Sequence, residues 1–392
     1  MEYVCVVGGG LLQVPVIEEL KSRGYGIIVI DRDPKCAARK LADIFMNIDT
    51  YDWNKTLNCL DIIKLEQVIT DAADIGPTVS AISEAHNLPN HCSYESAVRT
   101  KNKALMRRAI NLEHPVFVVA DNPQYATDLS VAWGNVAINN NISQFPCVVK
   151  TSCNSASRGI TIVRNLSDFT SALESAKHSV TNISSSCKMV VVEEYISGQE
   201  YSCDWLVDNG KVYFVNGASR IFSKFGIEMG HINPWDVSHD DMHIIQGIAE
   251  TAVRKLNVER GPFKMDLIKT EKYGWCLLEC ATRWSGGFDH THTAKMATGR
   301  DLVKVLVDYT LTGKFDANDL VYKSRNYAAA YAPIFEPGKI KGWKGENFIP
   351  LETHEIVPVE HCANRPVFVF GVDKDPAEAW KRAVETTVEP IR

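Results

Sequence analysis

The sequence predicts an α/β protein: a doubly wound N-terminal part, then mixed α+β sequence, then a small C-terminal α+β cap. Three observations carry this expectation. The first ninety residues alternate strand and helix patterns. A strand ending in Lys150 opens into a loop of small residues that closes at Gly159. Two neighbouring apolar strands each carry one acid, Asp266 and Glu279.

The opening elements follow in order. Tyr3–Val7 is an apolar strand, Gly8-Gly9-Gly10 a turn, Leu11–Arg23 an amphipathic helix, and Ile27–Ile30 a second strand ending in Asp31. A further strand near Val68–Thr70 leads into the Asp71–Pro77 loop and a helix that stops near Leu88-Pro89. The linker Pro89–Ser93 marks the first boundary. Asp31 lies about 20 residues beyond the glycine turn, where a dinucleotide-binding domain places its ribose acid. A GxGxxG fingerprint from Gly8 needs glycine at position 13, which is Gln13, so the turn is read as plain strand-turn-helix punctuation.

Ser93–Ile110 reads as one helix bearing Arg99, Lys101, Lys103, Arg107 and Arg108, a basic run expected to face solvent. After Pro115 come hairpin patterns at Cys147–Val163 and Val190–Val215, the second turning at Asp208-Asn209-Gly210. His239–Leu256 is a helix, Phe263–Thr270 and Trp275–Cys280 are paired strands, and Gly299–Leu311 is another helix. Short strands follow from Tyr327, closed by a helix at Pro376–Thr387.

The formal net charge of -6 gives no broad basic field, so no nucleic-acid partner is expected. No apolar run approaches the ~20 residues that span a bilayer, so no membrane partner is expected either. Met1-Glu2-Tyr3 leads directly into an apolar strand without a basic n-region, which favours a cytoplasmic location. The eleven cysteines are odd in number, scattered and without a CxxC pair; they are read as mostly buried thiols, and zinc is not expected.

Three segments carry chemistry. In Pro146–Gly159, Lys150 ends a strand and Thr151 to Ser157 supply small polar residues, among them Ser155 and Ser157. Such a flap lays N–H groups and hydroxyls over phosphates that the lysine neutralises; any hairpin loop uses similar residues. In Val190–Glu200, Glu193 and Glu194 end an apolar strand and Glu200 follows a glycine. This suits an adenine hinge with a ribose acid, or equally a polar strand end. Strand alternation puts Asp266 and Glu279 on one face, a costly arrangement unless a hard cation lies between them.

Taken together, the order of these elements over residues 95 to 310 resembles the ATP-grasp superfamily, and the flanking parts extend the likeness to nearly the whole chain. The resemblance implies a Rossmann-like domain at 1–92, a two-lobed ATP-grasp domain at 93–312 with its flap at about 115–192, and a C-terminal domain at 313–392. It implies ATP with Mg²⁺ (or Mn²⁺) as cofactors. Lys103, Lys150, Ser155, Ser157, Glu193, Glu194, Ile196 and Glu200 then match the nucleotide-binding positions, and Asp266 and Glu279 the metal carboxylates. Arg283 matches the phosphate-facing arginine of the Glu-x-Asn-x-Arg signature and, with Lys150, is the catalytic assignment. Within the superfamily the chain is similar to L-amino-acid ligases and to the group of biotin carboxylase and the large subunit of carbamoyl phosphate synthase. Two departures stand out: the flap has exchanged most glycines for Cys153 to Ser157, and Ala281 replaces the metal-binding asparagine.

The implied reaction is ADP-forming carboxylate–amine ligation through an acyl phosphate, with small-molecule substrates and a homodimer as a family expectation. The segment Arg220–Pro234 reads as a polar loop in which Glu228 can hold an ammonium and His231 a carboxylate or a proton, or as an ordinary surface loop. Arg283, Ser285, Gly286 and Gly287 complete the expected substrate side, the glycines permitting close backbone approach. Two other readings stand beside this one. One is a carboxyphosphate-forming enzyme that uses bicarbonate; the other is a nucleotide-binding module with impaired catalysis.

Overall fold

The computed structural model describes residues 2–121, 126–154, 158–179, 188–223, 226–351 and 353–392. The N-terminal part comprises β1 (Tyr3–Val7), α1 (Val14–Ser22), β2 (Gly26–Ile30), β3 (Ile44–Met46), α2 (Trp53–Leu60), β4 (Leu65–Ile69) and α3 (Gly76–Ala85). Its strands form a parallel sheet in the order β3-β2-β1-β4. Val4 to Val7 and Ile27 to Ile30 are wholly buried, as strands of a parallel sheet covered on both faces must be.

The expected helix Ser93–Ile110 is two helices, α4 (Tyr94–Lys101) and α5 (Lys103–Ile110). Asn102 breaks it: its backbone is extended, and its side chain accepts from the N–H groups of Ala104 and Leu105 to cap α5. An Asx side chain competes with helical hydrogen bonds in just this way. The break also turns the basic run inward. Lys101, Lys103 and Arg107 are buried, against the expected solvated face, while Arg108 stays exposed and pairs with Asp121.

A second unit contains β5 (Phe117–Ala120), α6 (Ala126–Asn139), β6 (Cys147–Thr151), β7 (Ile160–Val163), α7 (Leu166–His178) and β8 (Val190–Glu194). Its antiparallel sheet runs β5-β8-β6-β7, with Trp133, Phe169 and Leu173 of the two helices packed on it. Val190–Glu194 therefore pairs in this sheet, and the hairpin expected over Val190–Val215 begins only at Gln199.

The remainder is built on β9 (Gln199–Asp208), β10 (Lys211–Phe222), β11 (Glu228–Asn233), α8 (His239–Leu256), β12 (Arg260–Thr270), β13 (Gly274–Ala281), α9 (Ala294–Thr298) and α10 (Leu302–Thr312). After these come β14 (Tyr327–Tyr331), β15 (Gly338–Lys339), β16 (Gly342–Gly345), β17 (Phe348–Pro350), β18 (Glu355–Ile356), β19 (Val367–Asp373), α11 (Pro376–Glu385) and β20 (Val388–Ile391). An eight-stranded sheet, β13-β12-β9-β10-β11-β14-β19-β17, crosses most of this part. The Asn209-Gly210 turn joining β9 to β10 has positive φ at both residues (48° and 76°), the tight hairpin geometry that Asn-Gly favours. Arg220–Pro234, expected as a loop, is mostly the antiparallel pair β10–β11, with Arg220 opposite His231. Its polar residues lie along one face of a sheet, which sequence alternation alone confuses with a loop.

On one face of this sheet α5 and α8 pack against Trp205, Phe263 and Met265. On the other, Leu206, Val215, Trp284 and α10 share a core with Val4, Val6, Ile17, Leu20 and Ile27 of the parallel domain. Gly76, at the start of α3, sits so close to β13 that a side chain there would begin 2.0 Å from Thr282 Oγ1. Most cysteines are the buried thiols expected, Cys5, Cys92, Cys147 and Cys203 among them, but Cys153 is disulfide-bonded. Among the described residues no helix is long and apolar enough to cross a membrane.

Candidate active site

The antiparallel register sets out the site. Asp266 lies opposite Glu279 on one side and Ser202 on the other; two residues along, Lys264 lies opposite Ala281 and Asp204. With side chains alternating between faces, all of these share one face of the sheet. Lys264 Nζ stands 2.6 Å from Asp266 Oδ2, and Lys103 Nζ, from the start of α5, reaches Glu279 Oε2 at 3.0 Å. Arg220 joins the row from β10, with Nη1 at 3.0 Å from Glu200 Oε2 and 3.5 Å from Asp266 Oδ2, and Nη2 at 3.2 Å from Glu228 Oε2. Burial pushes the Glu228 carboxyl up, but Arg220 and Arg365 outweigh it and hold the group at about 2. Glu200 is raised, chiefly by burial, because the neighbouring acids Asp266, Glu228 and Glu279 work against the relief that Arg220 gives.

Above this row stands the root of the flap. Lys150 ends β6 and its ammonium pairs with Glu193, whose other oxygen accepts from Arg107 Nε at 3.1 Å. Burial alone would raise the Glu193 carboxyl; Arg107 and Lys150 together hold it low. Arg107 also donates to the carbonyls of Leu277 and Leu278 at 2.7 and 3.0 Å, tying α5 to β13. Glu194 turns elsewhere, accepting from Tyr273 Oη at 2.6 Å and meeting His114 Nδ1 at 3.0 Å, while the His114 and Tyr273 rings stack with centroids 3.6 Å apart. Ile196 is half-buried just beyond β8. Lys103 also donates to the Asn154 carbonyl at 2.5 Å; Ser155 and Ser157 lie outside the described residues.

The N-terminal domain contributes the loop after β4. Asp74 Oδ2 is 2.6 Å from Lys101 Nζ, and its Oδ1 is 3.8 Å from Arg283 Nε. Burial raises the Asp74 carboxyl, but Lys101 and Arg283 hold it well below the usual carboxylate range. Arg283 donates from Nη1 to the Trp284 carbonyl at 2.8 Å, whereas its buried Nε has no hydrogen-bond partner among the described residues. Ser285 gives both N–H and Oγ to Asp204 Oδ1, each at 2.8 Å. Gly287 has φ of 70°, in the left-handed region that favours glycine. His231 meets Thr293 Oγ1 at 2.9 Å, pointing into the floor formed by Asp289 and Asn233.

The structure thus brings Lys103, Lys150, Glu193, Glu200, Glu228, Asp266, Glu279 and Arg283 into one alternating charge network, with Glu194 and His231 at its borders. Sequence reasoning passed over Arg220, Lys264, Arg107, Lys101, Asp74 and Asp204. Lys264 and Asp204 carried a usable signal, a charge inside an apolar strand pattern. Asp74 is one loop acid among others and carried none.

A hard cation fits here. Asp266 Oδ1 is buried with no hydrogen-bond partner, and it faces Glu279 across one strand pair. Among the described residues no group of three or more His, Cys, Asp or Glu is placed to hold a metal. A Mg²⁺ between these two acids would therefore take its remaining oxygens from nucleotide phosphates and water, its habitual mode.

Residues 143–292 match the family described as the ATP-grasp domain. No curated protein sequence matches the chain. Among solved structures the chain is similar to the L-amino acid ligase from Bacillus licheniformis, with TM-score 0.77 and 16% identity over 98% of this chain and 96% of that one. Phosphoribosylglycinamide synthetase from Anaerococcus prevotii gives 0.74 and 17% over 100% and 99%. The biotin carboxylase domain of the Hydrogenobacter thermophilus 2-oxoglutarate carboxylase, solved with MgADP and bicarbonate, gives 0.74 and 15% over 100% and 91%. At these identities the likeness is one of fold, and it extends over nearly the whole chain, with residues 143–292 matching the ATP-grasp domain at its centre.

Proposed function

We propose that the protein is an ADP-forming ligase that activates a carboxylate with ATP and joins it to an amine, with an amino acid among its substrates. The observation that carries this is a pair of buried atoms in the charge row that have no hydrogen bond among the described residues. Asp266 Oδ1 is an acceptor awaiting a cation, and Arg283 Nε is a donor awaiting an anionic oxygen. Lys150 and Lys103 neutralise the phosphates from flap and floor. Glu193, Glu194 and Ile196 offer the hinge to adenine, and Glu200 meets the ribose hydroxyls. Asp266 and Glu279 would hold Mg²⁺, which when bound neutralises phosphate charge and polarises the transferred phosphoryl group. Catalysis of this kind is positioning and charge stabilisation, so a lysine and arginine frame suffices without a nucleophilic side chain.

Arg283 is placed to follow the developing charge on the phosphoryl and acyl oxygens. Glu228 and Arg220 form a balanced pair that recognises a zwitterionic group, which favours the amino-acid reading, as does the fold match to an L-amino acid ligase. The test is ADP and phosphate release with Mg-ATP against pools of amino acids, other carboxylates with amines, and bicarbonate. Stimulation by amino acids supports the ligase. AMP as product removes the acyl-phosphate route, stimulation by bicarbonate alone shifts the assignment to a carboxyphosphate-forming enzyme, and no stimulation by any pool leaves a nucleotide-binding module.

A further inference from the structure

The face that carries Asp266 continues away from the nucleotide end into a floor of polar groups the reaction above does not use. Asp204 is on β9, two residues from Ser202, and hence about 7 Å farther along the same face than the Asp266–Glu279 pair. It is fully buried. Its Oδ1 receives the Ser285 hydroxyl and N–H, and its Oδ2 has no hydrogen-bond partner among the described residues. Ser285 stands two residues after Arg283 on the same segment. Next to it Gly286 leaves room: among the described residues, its chain neighbours aside, Leu12 Cδ1 at 3.8 Å is the one atom within 4 Å of where a side chain would begin. Behind Asp204, His290 is hydrogen-bonded through Nε2 to Asp71 at 2.5 Å, both groups fully buried and both with a second polar atom unpartnered.

We propose that Ser285 and Asp204 form a proton relay that deprotonates the amine substrate, with the Asp71–His290 pair holding Asp204 in place as an anion. This rests on the amide-forming reading above. An amine arrives as an ammonium and cannot attack until it loses a proton. Ser285 Oγ accepts that proton as its own passes to Asp204 Oδ1. The freed nitrogen lone pair forms the C–N bond to the acyl carbon, and the C–O bond to phosphate breaks with its electron pair leaving on phosphate. The second proton shed by nitrogen goes to the departing phosphate, and Asp204 returns its proton through Ser285 Oγ to water that enters as the product leaves. Burial, opposed by His290, brings the Asp204 carboxyl up to about 7, a suitable range for accepting and releasing a proton at neutral pH.

Hydroxylamine separates the two roles, because it is uncharged at neutral pH and captures an acyl phosphate without needing a base. The full-length protein is given Mg-ATP and an equimolar mixture of the proteinogenic amino acids, with or without hydroxylamine, and amide and hydroxamate products are counted. For Ser285→Ala and Asp204→Asn the amide-to-hydroxamate ratio is expected to fall about 100-fold or more, the usual contribution of a positioned base. Ser285→Thr, which keeps the hydroxyl, restores it. An unchanged ratio, with both products falling together or neither falling, overturns the relay. Absence of any ATP-dependent hydroxamate from the unaltered protein removes the ligase reading itself.

Discussion

At the scale of the residue, the charges of the cleft row meet charges of opposite sign, and two of its buried atoms, Asp266 Oδ1 and Arg283 Nε, have no hydrogen bond among the described residues. Arg283→Met is expected to lower kcat by about 10²–10³, the effect of losing one donor to a developing oxyanion, while ADP binding measured by calorimetry stays. Lys264 lies opposite Ala281 and sits on Asp266 Oδ2. Its positive charge competes with a cation for Asp266, so Lys264→Ala should lower the Mg²⁺ concentration needed for half-maximal nucleotide binding; an unchanged titration would count against it. His290 illustrates linkage: burial alone would lower its basicity, but Asp71 raises it from 6.5 to about 9. Stabilisation of this sign is full below pH 6.5 and is lost as pH rises through about 9. A thermal midpoint that falls over this interval in the unaltered protein, and ceases to do so in Asp71→Asn, is the expected result. Lys150, Glu193, Asp266 and Glu279 were legible in the sequence because each ends or interrupts an apolar strand. Arg220 and Asp74 were not, because their meaning comes only from register and packing across many residues.

Among the elements, the boundary between α4 and α5 decides where Lys103 points. Asn102→Ala removes two N-terminal hydrogen bonds of α5, costs about 1 kcal/mol, and should raise the KM for ATP by misplacing Lys103. The sequence suggested one continuous basic helix here, since a capping asparagine within a charged run looks like another solvated residue. The flap root is held similarly. Tyr273→Phe removes the hydroxyl donated to Glu194, and about 1 kcal/mol of lost stabilisation should appear as roughly fivefold faster amide exchange in β5 and β8. Strand and helix positions elsewhere were readable to within a few residues, β1 and α8 among them. The cleft face of β10 and β11 misled because its polar side chains face a site and not bulk water.

Across the whole molecule, the parallel domain and the eight-stranded sheet do not have separate interiors. Val4, Ile17 and Leu20 share a core with Leu206, Trp284 and Leu306. A fragment comprising residues 93–392 would expose that core and is expected to aggregate or to lose cooperative unfolding in a denaturant titration. A milder probe is Gly76→Val, which would collide with Thr282 at the domain contact and cost about 1–3 kcal/mol. The α/β class and the order of the parts were visible in the sequence, because periodicity survives at that length. The sharing of one core was not, since apolar faces do not announce their partners.

The flap root has one more implication. The chain enters that unit at Val116 and leaves it at Glu194, and these two residues are joined by a backbone hydrogen bond of 2.9 Å. A segment whose ends touch is a cassette. It can be excised and the gap bridged by a few residues, leaving the acid-bearing strands and the parallel domain connected as they are now. Such a miniature would show what the floor of the cleft binds without its cover. The same junction is also a splice point at which the corresponding segments of proteins that share this fold could be exchanged.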